Sequence, residues 1–253
     1  MLADLVSSPI HLHPTASLAE RVLLPGDPGR ALRLAEALLD TPKMFNHHRG
    51  LWGYTGTAAD GEPLTIQSTG MGGPSAAIVI GELHDLGART LIRVGTCAAL
   101  HPALVLGELL VVTEALSADG TSRALGADDR LSGDPSLLER LTAAGGAGTA
   151  RGSVVSTDLF YDGREGENEA WREQGARAVE METATLFALA ARRGICAGAV
   201  LIISDLLGPQ RIRIDAAALA DAELRLGRVA LAALAAEPTS AGSAEAPDAA
   251  PAP

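Results

Sequence analysis

The chain has 253 residues and is 47% hydrophobic, enough to bury one large core, so a single domain over residues 1–236 is expected. Its formal charge of −11 argues against nucleic acid as a partner, because a polyanion is bound through a basic stripe that displaces its counterions. The first residues lack a basic start and a long apolar run, and the most apolar segment, 196–203, is too short to cross a bilayer, so a soluble, cytoplasmic protein without a membrane partner is expected.

In chain order, the pattern predicts a strand at 21–24, a helix at 28–39 and a hairpin pairing 52–57 with 64–68 across Ala59-Asp-Gly-Glu62. A helix at 74–86, strands at 90–94 and 108–112, a helix at 135–144 and a strand at 152–155 follow. The series closes with a helix at 183–193, a strand at 197–203 and a helix at 216–236, several of the helices opening on Pro or Thr. Such alternation predicts an α/β sandwich around a mixed sheet. The polar stretch 117–135 reads as a long functional or interfacial loop. Residues 237–253 are dominated by Ala, Pro, Ser, Gly, Asp and Glu, without large apolar side chains, and are expected to be a disordered tail.

Three arginines lie in separate Gly-bearing turns: Arg30 in Gly26-Asp-Pro-Gly-Arg30, Arg49 in His48-Arg-Gly50 and Arg93 in Arg93-Val-Gly-Thr96. Guanidinium forks beside exposed backbone N–H groups suit one small oxyanion, with phosphate the best fit. Gly70-Met-Gly-Gly-Pro-Ser75 follows a strand and opens a helix, but Ser75 replaces the third glycine of a dinucleotide fingerprint and no acidic residue follows at ribose spacing. It reads instead as a turn whose backbone a sugar or anion can approach.

Val179-Glu-Met-Glu182 precedes an apolar helix. Its two carboxylates either cap that helix or, if extended, point to opposite sides, so that one enters a pocket and accepts hydrogen bonds from a ribose diol. Asp205 follows the most apolar strand, on the rim where α/β sheets bind ligands. Desolvation there would raise its pKa from about 3.9 and make it a proton donor; the alternative is an Asx turn or helix cap. Ser156-Thr-Asp-Leu-Phe-Tyr161 also ends a strand, and at least one of its two rings is expected in the core. Cys97 and Cys196 have no CxxC spacing, and the six histidines have no ligand spacing, so no metal site or disulfide is expected.

Taken together, Gly26-Asp-Pro-Gly-Arg30, Arg49-Gly50, Gly70-Met-Gly-Gly-Pro74, Arg93-Val-Gly-Thr96, Ser156-Thr-Asp-Leu-Phe-Tyr161, Val179-Glu-Met-Glu182 and Ser204-Asp205 resemble, in order and spacing, the nucleoside phosphorylase-I family. The resemblance covers about residues 9–205 and is nearest to the hexameric purine nucleoside and 5′-methylthioadenosine phosphorylases. It implies a single-domain, three-layer sandwich with a partly barrel-like mixed sheet, assembled as a trimer of dimers with active sites shared between subunits.

By the same resemblance, Gly26, Arg30, Arg93 and Thr96 would bind phosphate, with Arg49 reaching the adjoining subunit's phosphate. His11 would touch the neighbour's sugar 5′ end. Met71, Met181 and Glu182 would hold the ribose, and Cys97, Ala98, Phe160, Val179 and Glu180 would line the base. Asp205 would protonate the purine, with Arg211, Arg213 or neither as its partner. The implied reaction cleaves a nucleoside with inorganic phosphate as co-substrate and needs no cofactor. Uridine phosphorolysis, hydrolysis of the methylthioadenosine nucleosidase type and turnover-free nucleoside binding are the alternatives.

Overall fold

The computed structural model describes residues 9–235 except Asp162 and Pro209, so the expected tail at 237–253 lies outside the described residues. Among the described residues eleven strands form one mixed sheet: β1 (Arg21–Leu24), β2 (Leu39–Asn46), β3 (Gly53–Ala58), β4 (Pro63–Gln67), β5 (Thr90–Ala99), β6 (Leu109–Ser117), β7 (Arg130–Ser132), β8 (Ala150–Ser156), β9 (Ala176–Glu180), β10 (Cys196–Leu206) and β11 (Ile212–Arg213). Among the described residues seven α-helices accompany it: α1 (Pro28–Leu38), α2 (Gly73–Asp85), α3 (Gly120–Ala124), α4 (Pro135–Gly145), α5 (Glu167–Glu173), α6 (Thr183–Arg193) and α7 (Ala216–Ala235), with one 3-10 turn at His48–Gly50.

The order β10-β6-β8-β9-β5 closes on itself because β10 also pairs with β5, which gives the barrel-like part of the sheet. The remaining strands continue outward from β5 as β1-β4-β3-β2. β10 runs parallel to β5 and antiparallel to β6, and its buried run reads as unbroken apolar sequence because both faces are covered. One face packs against α2 and α6 through Val79, Ile80, Leu83, Leu186 and Phe187. The other packs against α1, α4 and α7 through Leu34, Leu137, Leu141, Leu226 and Ala230. Glycines set how closely these layers approach: a Cβ on Gly198 would lie 2.9 Å from Leu141, and one on Gly227 would lie 2.6 Å from Leu34.

The expected strands and helices are present, but several run longer than their apolar cores, above all β5 and β10. The stretch at 117–135 is not a long irregular loop. It contains α3 and β7, organised by the fully buried Asp119, which accepts hydrogen bonds from Ser122 N at 2.7 Å and Thr185 Oγ1 at 3.1 Å. A buried carboxylate satisfied this way orders polar sequence that contributes little apolar area.

Candidate active site

β1, β4, β5 and β10 run parallel, so their C-terminal ends share one rim. The turns after β1 and β4 are zipped together there by Thr69 N donating to the Pro25 carbonyl at 2.9 Å and Gly70 N to the Gly26 carbonyl at 3.1 Å. A side chain on Gly26 would crowd the Gly70 carbonyl at 3.1 Å, which accounts for the small residue. Gly26 therefore sits just ahead of α1, whose first turn is capped by Asp27 accepting from Gly29 N at 2.8 Å. Pro28 fits this first turn, where its missing N–H costs nothing.

Arg93 stands opposite Leu24, the last residue of β1. It is buried, and its guanidinium crosses Gly95, where a Cβ would lie 2.7 Å from Cζ. Its Nε donates to Glu180 Oε2 at 2.9 Å and its Nη2 lies 2.5 Å from Glu182 Oε2. Burial works against the Arg93 charge, but Glu182 and then Glu180 outweigh it and hold its pKa above the ordinary guanidinium value. Arg30, buried on α1, reaches the same strand through Nη1, which donates to the Val94 carbonyl at 3.4 Å, while its Nε donates to Glu223 of α7 at 2.8 Å. Thr96 follows Arg93 along β5 and is half-buried.

The two glutamates do not diverge as an extended i, i+2 pair would. β9 ends at Glu180 and the backbone turns at Glu182, φ −136° and ψ −17°, so both carboxylates reach Arg93. Glu180 also accepts from the backbone N–H groups of Glu182 and Thr183, at 3.0 and 3.1 Å, and from Ser156 Oγ. With its oxygens engaged inward, it faces Arg93 and the start of α6 rather than an open pocket. Glu182 accepts from Gly72 N at 2.5 Å. Burial raises the Glu182 pKa and Glu180 adds to the rise, with Arg93 and the Gly72 hydrogen bond opposing. Gly72 holds φ 83° and ψ 161°, a conformation nearly confined to glycine, and this is what turns its N–H toward Glu182.

Asp205 is buried near the end of β10, beyond a register shift between Ile203 and Asp205 against β5. The extra residue, Ser204, re-aims the strand, as bulges beside active sites do. Ser204 Oγ donates to Asp205 Oδ2 at 2.7 Å, and Arg211 Nε donates to Oδ1 at 2.9 Å. Asp205 pairs in register with Arg213 of β11, yet the hydrogen bond comes from Arg211, in the turn between the two strands. Of the options left open by the sequence, Arg211, Arg213 or neither, it is Arg211 that bonds the Asp205 carboxylate.

Arg211 also lies over the Phe160 ring, with Cζ 4.2 Å from its centroid. Phe160 meets Tyr161 edge to face at 4.8 Å, and both rings are exposed, so neither packs in the core as expected from the sequence. Ala98 pairs with Asp205 on one side and Val179 on the other, which brings three expected base-side positions to one stretch of ladder. Cys97, next to Ala98, is buried with Sγ directed at the Ile202 carbonyl, and burial raises its thiol pKa. Met71 is largely exposed on the Gly70–Gly72 turn, and Met181 is half-buried between the two glutamates.

His11 and Arg49 share another surface. Glu82 of α2 accepts from His11 Nδ1 at 2.7 Å and from Leu12 N at 2.7 Å, and His48 Nδ1 lies 3.1 Å from the His11 carbonyl. Burial would raise the Glu82 pKa, but His11 and the backbone donors of residues 10–12 hold it below the usual carboxylate value. His48 stacks on His13 with centroids 3.8 Å apart. Arg49, the next residue, is exposed with a positive φ of 57° and forms no ion pair among the described residues. The structure thus brings Arg30 and Arg93 each against β5, Arg30 at the Val94 carbonyl and Arg93 at the two glutamates, and leaves Arg49 exposed on the surface.

Three side chains that hold the expected site residues, or their partners, were not singled out in the sequence. Glu223 looks like one polar position of an amphipathic helix, and Glu82 like another. Arg33 has the ordinary spacing of a solvent-facing helical residue, although Glu223, with Asp27 adding, raises its pKa against the cost of burial.

The chain belongs to the phosphorylase superfamily, whose sequence profile matches residues 20–235. It is 41% identical over 197 residues to a protein named purine nucleoside phosphorylase DeoD-type from Geobacillus kaustophilus, covering 76% of this chain and 83% of that one. Proteins of the same name from Alkaliphilus metalliredigens and Caldanaerobacter subterraneus subsp. tengcongensis are 39% and 38% identical, each covering 75% of this chain and 84% of the relative.

Proposed function

We propose that the protein cleaves the N-glycosidic bond of purine nucleosides, 5′-methylthioadenosine among the candidates, with inorganic phosphate, releasing free base and ribose 1-phosphate. The observation that carries this reading is the 2.5 Å contact between buried Arg93 and Glu182 beside the Gly26 and Gly70 turns. Attack at C1′ places an anion next to the 2′ and 3′ hydroxyls, so the reaction needs a cation for the anion touching a carboxylate for the diol. The family membership and the names of the relatives point the same way.

In this reading phosphate binds Arg93, Arg30, Thr96 and the Gly26 backbone, exchanging one partner of Arg93 for its own oxygens. Glu182 accepts from the ribose diol, with Met71 and Met181 against the sugar. Holding phosphate under C1′ replaces a bimolecular encounter with local attack. As the C1′–N bond breaks, positive charge grows on the ribose over the phosphate, and the electron pair passes to the base. Asp205 donates a proton to that base, and the Arg211 guanidinium stabilises the carboxylate it leaves behind; such an acid contributes about 10²–10⁴-fold. Phe160 covers the base, Ala98 and the Val179 backbone line it, and Glu180 acts from beneath through Arg93. The residues assigned to the reaction need no metal or organic cofactor.

His11 and Arg49 complete the site of a neighbouring subunit, in a hexamer built as a trimer of dimers. Two features support this: His48, the residue before Arg49, bonds the His11 carbonyl, which brings the two segments together, and Arg49 is exposed and holds a left-handed backbone at φ 57°. We place the enzyme in the cytoplasm. A panel of inosine, guanosine, adenosine, 5′-methylthioadenosine and uridine assayed with phosphate tests the substrate class. Purine nucleosides are expected to turn over, and cleavage of uridine alone would overturn the base assignment.

A further inference from the structure

Glu223 is a carboxylate in the layer between α1 and α7, only 1% exposed, and it takes no part in the chemistry proposed for the rim. Its two oxygens hold two different arginines: Oε1 takes Nε of Arg30 at 2.8 Å, and Oε2 takes Nε of Arg33 at 2.7 Å. Helix geometry brings them together. Gly227 lies one turn beyond Glu223 and Leu34 one turn beyond Arg30, and a Cβ on Gly227 would sit 2.6 Å from Leu34, so only a glycine lets α7 come close enough for the carboxylate to reach Arg30.

Which nitrogen is held matters. Arg93 is gripped at Nε by Glu180 in the same manner; in each arginine the Nε contact fixes the plane of the guanidinium, Arg93 Nη2 then reaches Glu182 and Arg30 Nη1 the Val94 carbonyl, and the other terminal nitrogen of each points onward. The charges matter as well. A carboxylate paired with Arg30 alone would cancel the charge that attracts an anion; Arg33 supplies a second cation to Glu223, so the buried carboxylate is shared between two arginines, while Asp27, half-exposed and 3.6 Å from Arg33, sits at the solvent side of the cluster.

We infer that Glu223 is a positioning residue of the anion site, holding Arg30 by Nε, with Nη1 on the Val94 carbonyl, so that the remaining terminal nitrogen, Nη2, faces phosphate, and with Arg33 sharing the carboxylate's charge. The inference rests on the reading of Arg30 as a phosphate ligand. It separates from a purely electrostatic role in sign: if Glu223 only weakened the site's field, removing its charge would tighten phosphate binding, whereas loss of positioning weakens it.

The test is steady-state kinetics of the full-length protein with inosine and varied inorganic phosphate, comparing wild type, Glu223→Gln, Arg33→Gln and Arg30→Ala. Glu223→Gln is expected to raise the phosphate KM about tenfold, the scale of one lost charge-assisted hydrogen bond, with the inosine KM within about twofold of wild type. Arg33→Gln, at a half-exposed position that leaves the core packed, is expected to raise the phosphate KM severalfold and serves if Glu223→Gln does not fold. An unchanged or lowered phosphate KM in the folded Glu223→Gln protein, or in Arg33→Gln where only that variant folds, overturns the inference, as does an equal rise in both KM values. Arg30→Ala separates this failure from that of the underlying reading: a normal phosphate KM there removes Arg30 from the anion site altogether.

Discussion

Replacing Arg211 with Ala removes two contacts, and they are expected to appear in different kinetic constants. The first is the 2.9 Å hydrogen bond from Nε to Asp205 Oδ1. Hydrogen bonds to charged groups contribute about 1.5–3 kcal/mol, and because the Arg211 side chain is 34% exposed the lower end applies, which corresponds to about a tenfold loss in kcat. The second is the cation–π contact over Phe160 at 4.2 Å, worth about 0.5–1 kcal/mol at an exposed site and expected to change the nucleoside KM by no more than about fivefold.

The assay compares inosine with 7-methylinosine under saturating phosphate. A base that already carries positive charge leaves without receiving a proton, so only inosine needs the acid. The variant is expected to lose about tenfold in kcat on inosine and to keep wild-type kcat on 7-methylinosine, at the scale of one charge-assisted hydrogen bond. Equal losses on the two substrates, or none on either, would refute the assignment of Arg211 to the proton-transfer step.

Two further variants probe the ribose side. Gly72→Ala places a side chain at φ 83° and ψ 161° and is expected to cost about 1–3 kcal/mol in chemical denaturation and to raise the nucleoside KM, because the N–H that orients Glu182 must move; unchanged stability would show that the turn is not strained. Burial raises the Glu182 pKa, and only the ionised carboxylate accepts from both hydroxyls, so nucleoside affinity measured by calorimetry without phosphate should be full at high pH. It should fall as pH drops through a value above the ordinary carboxylate range. In Glu182→Gln that fall should disappear, leaving weak, pH-independent binding; a fall that persists would assign the titration to another group.

The fold was legible wherever a local pattern was strong. Pro28, Pro135 and Thr183 marked helix starts that the structure reproduces, and the unbroken apolar run in β10 marked the strand buried on both faces. What escaped was set by distant partners. β9 and α5 carry weak periodicity; β9 owes its place to pairing with β5 and β8, while α3 depends on buried Asp119.

The site divided in the same way. Arg30, Arg93, Glu182 and Asp205 stood out because a charged residue in a Gly-bearing turn, before an apolar helix or at the end of an apolar strand contributes little to packing and so signals a ligand. The convergence of Glu180 and Glu182 on one guanidinium did not stand out, because it depends on where β9 ends and the backbone turns. The choice between Arg211 and Arg213 depended on a short strand, Ile212–Arg213, whose pairing leaves no signal in sequence. Glu223 and Glu82 were hidden for the simplest reason: a helical glutamate reads as a solvated face until the opposite helix or segment is known.

Whether the rim holds inorganic phosphate as the nucleophile is tested most directly by the initial rate of base release from inosine as phosphate is withdrawn. The expected rate saturates with phosphate, falls to background without it, and yields one ribose 1-phosphate for each hypoxanthine. Base released at an undiminished rate in phosphate-free buffer, with free ribose as the product, would contradict phosphate as the attacking group.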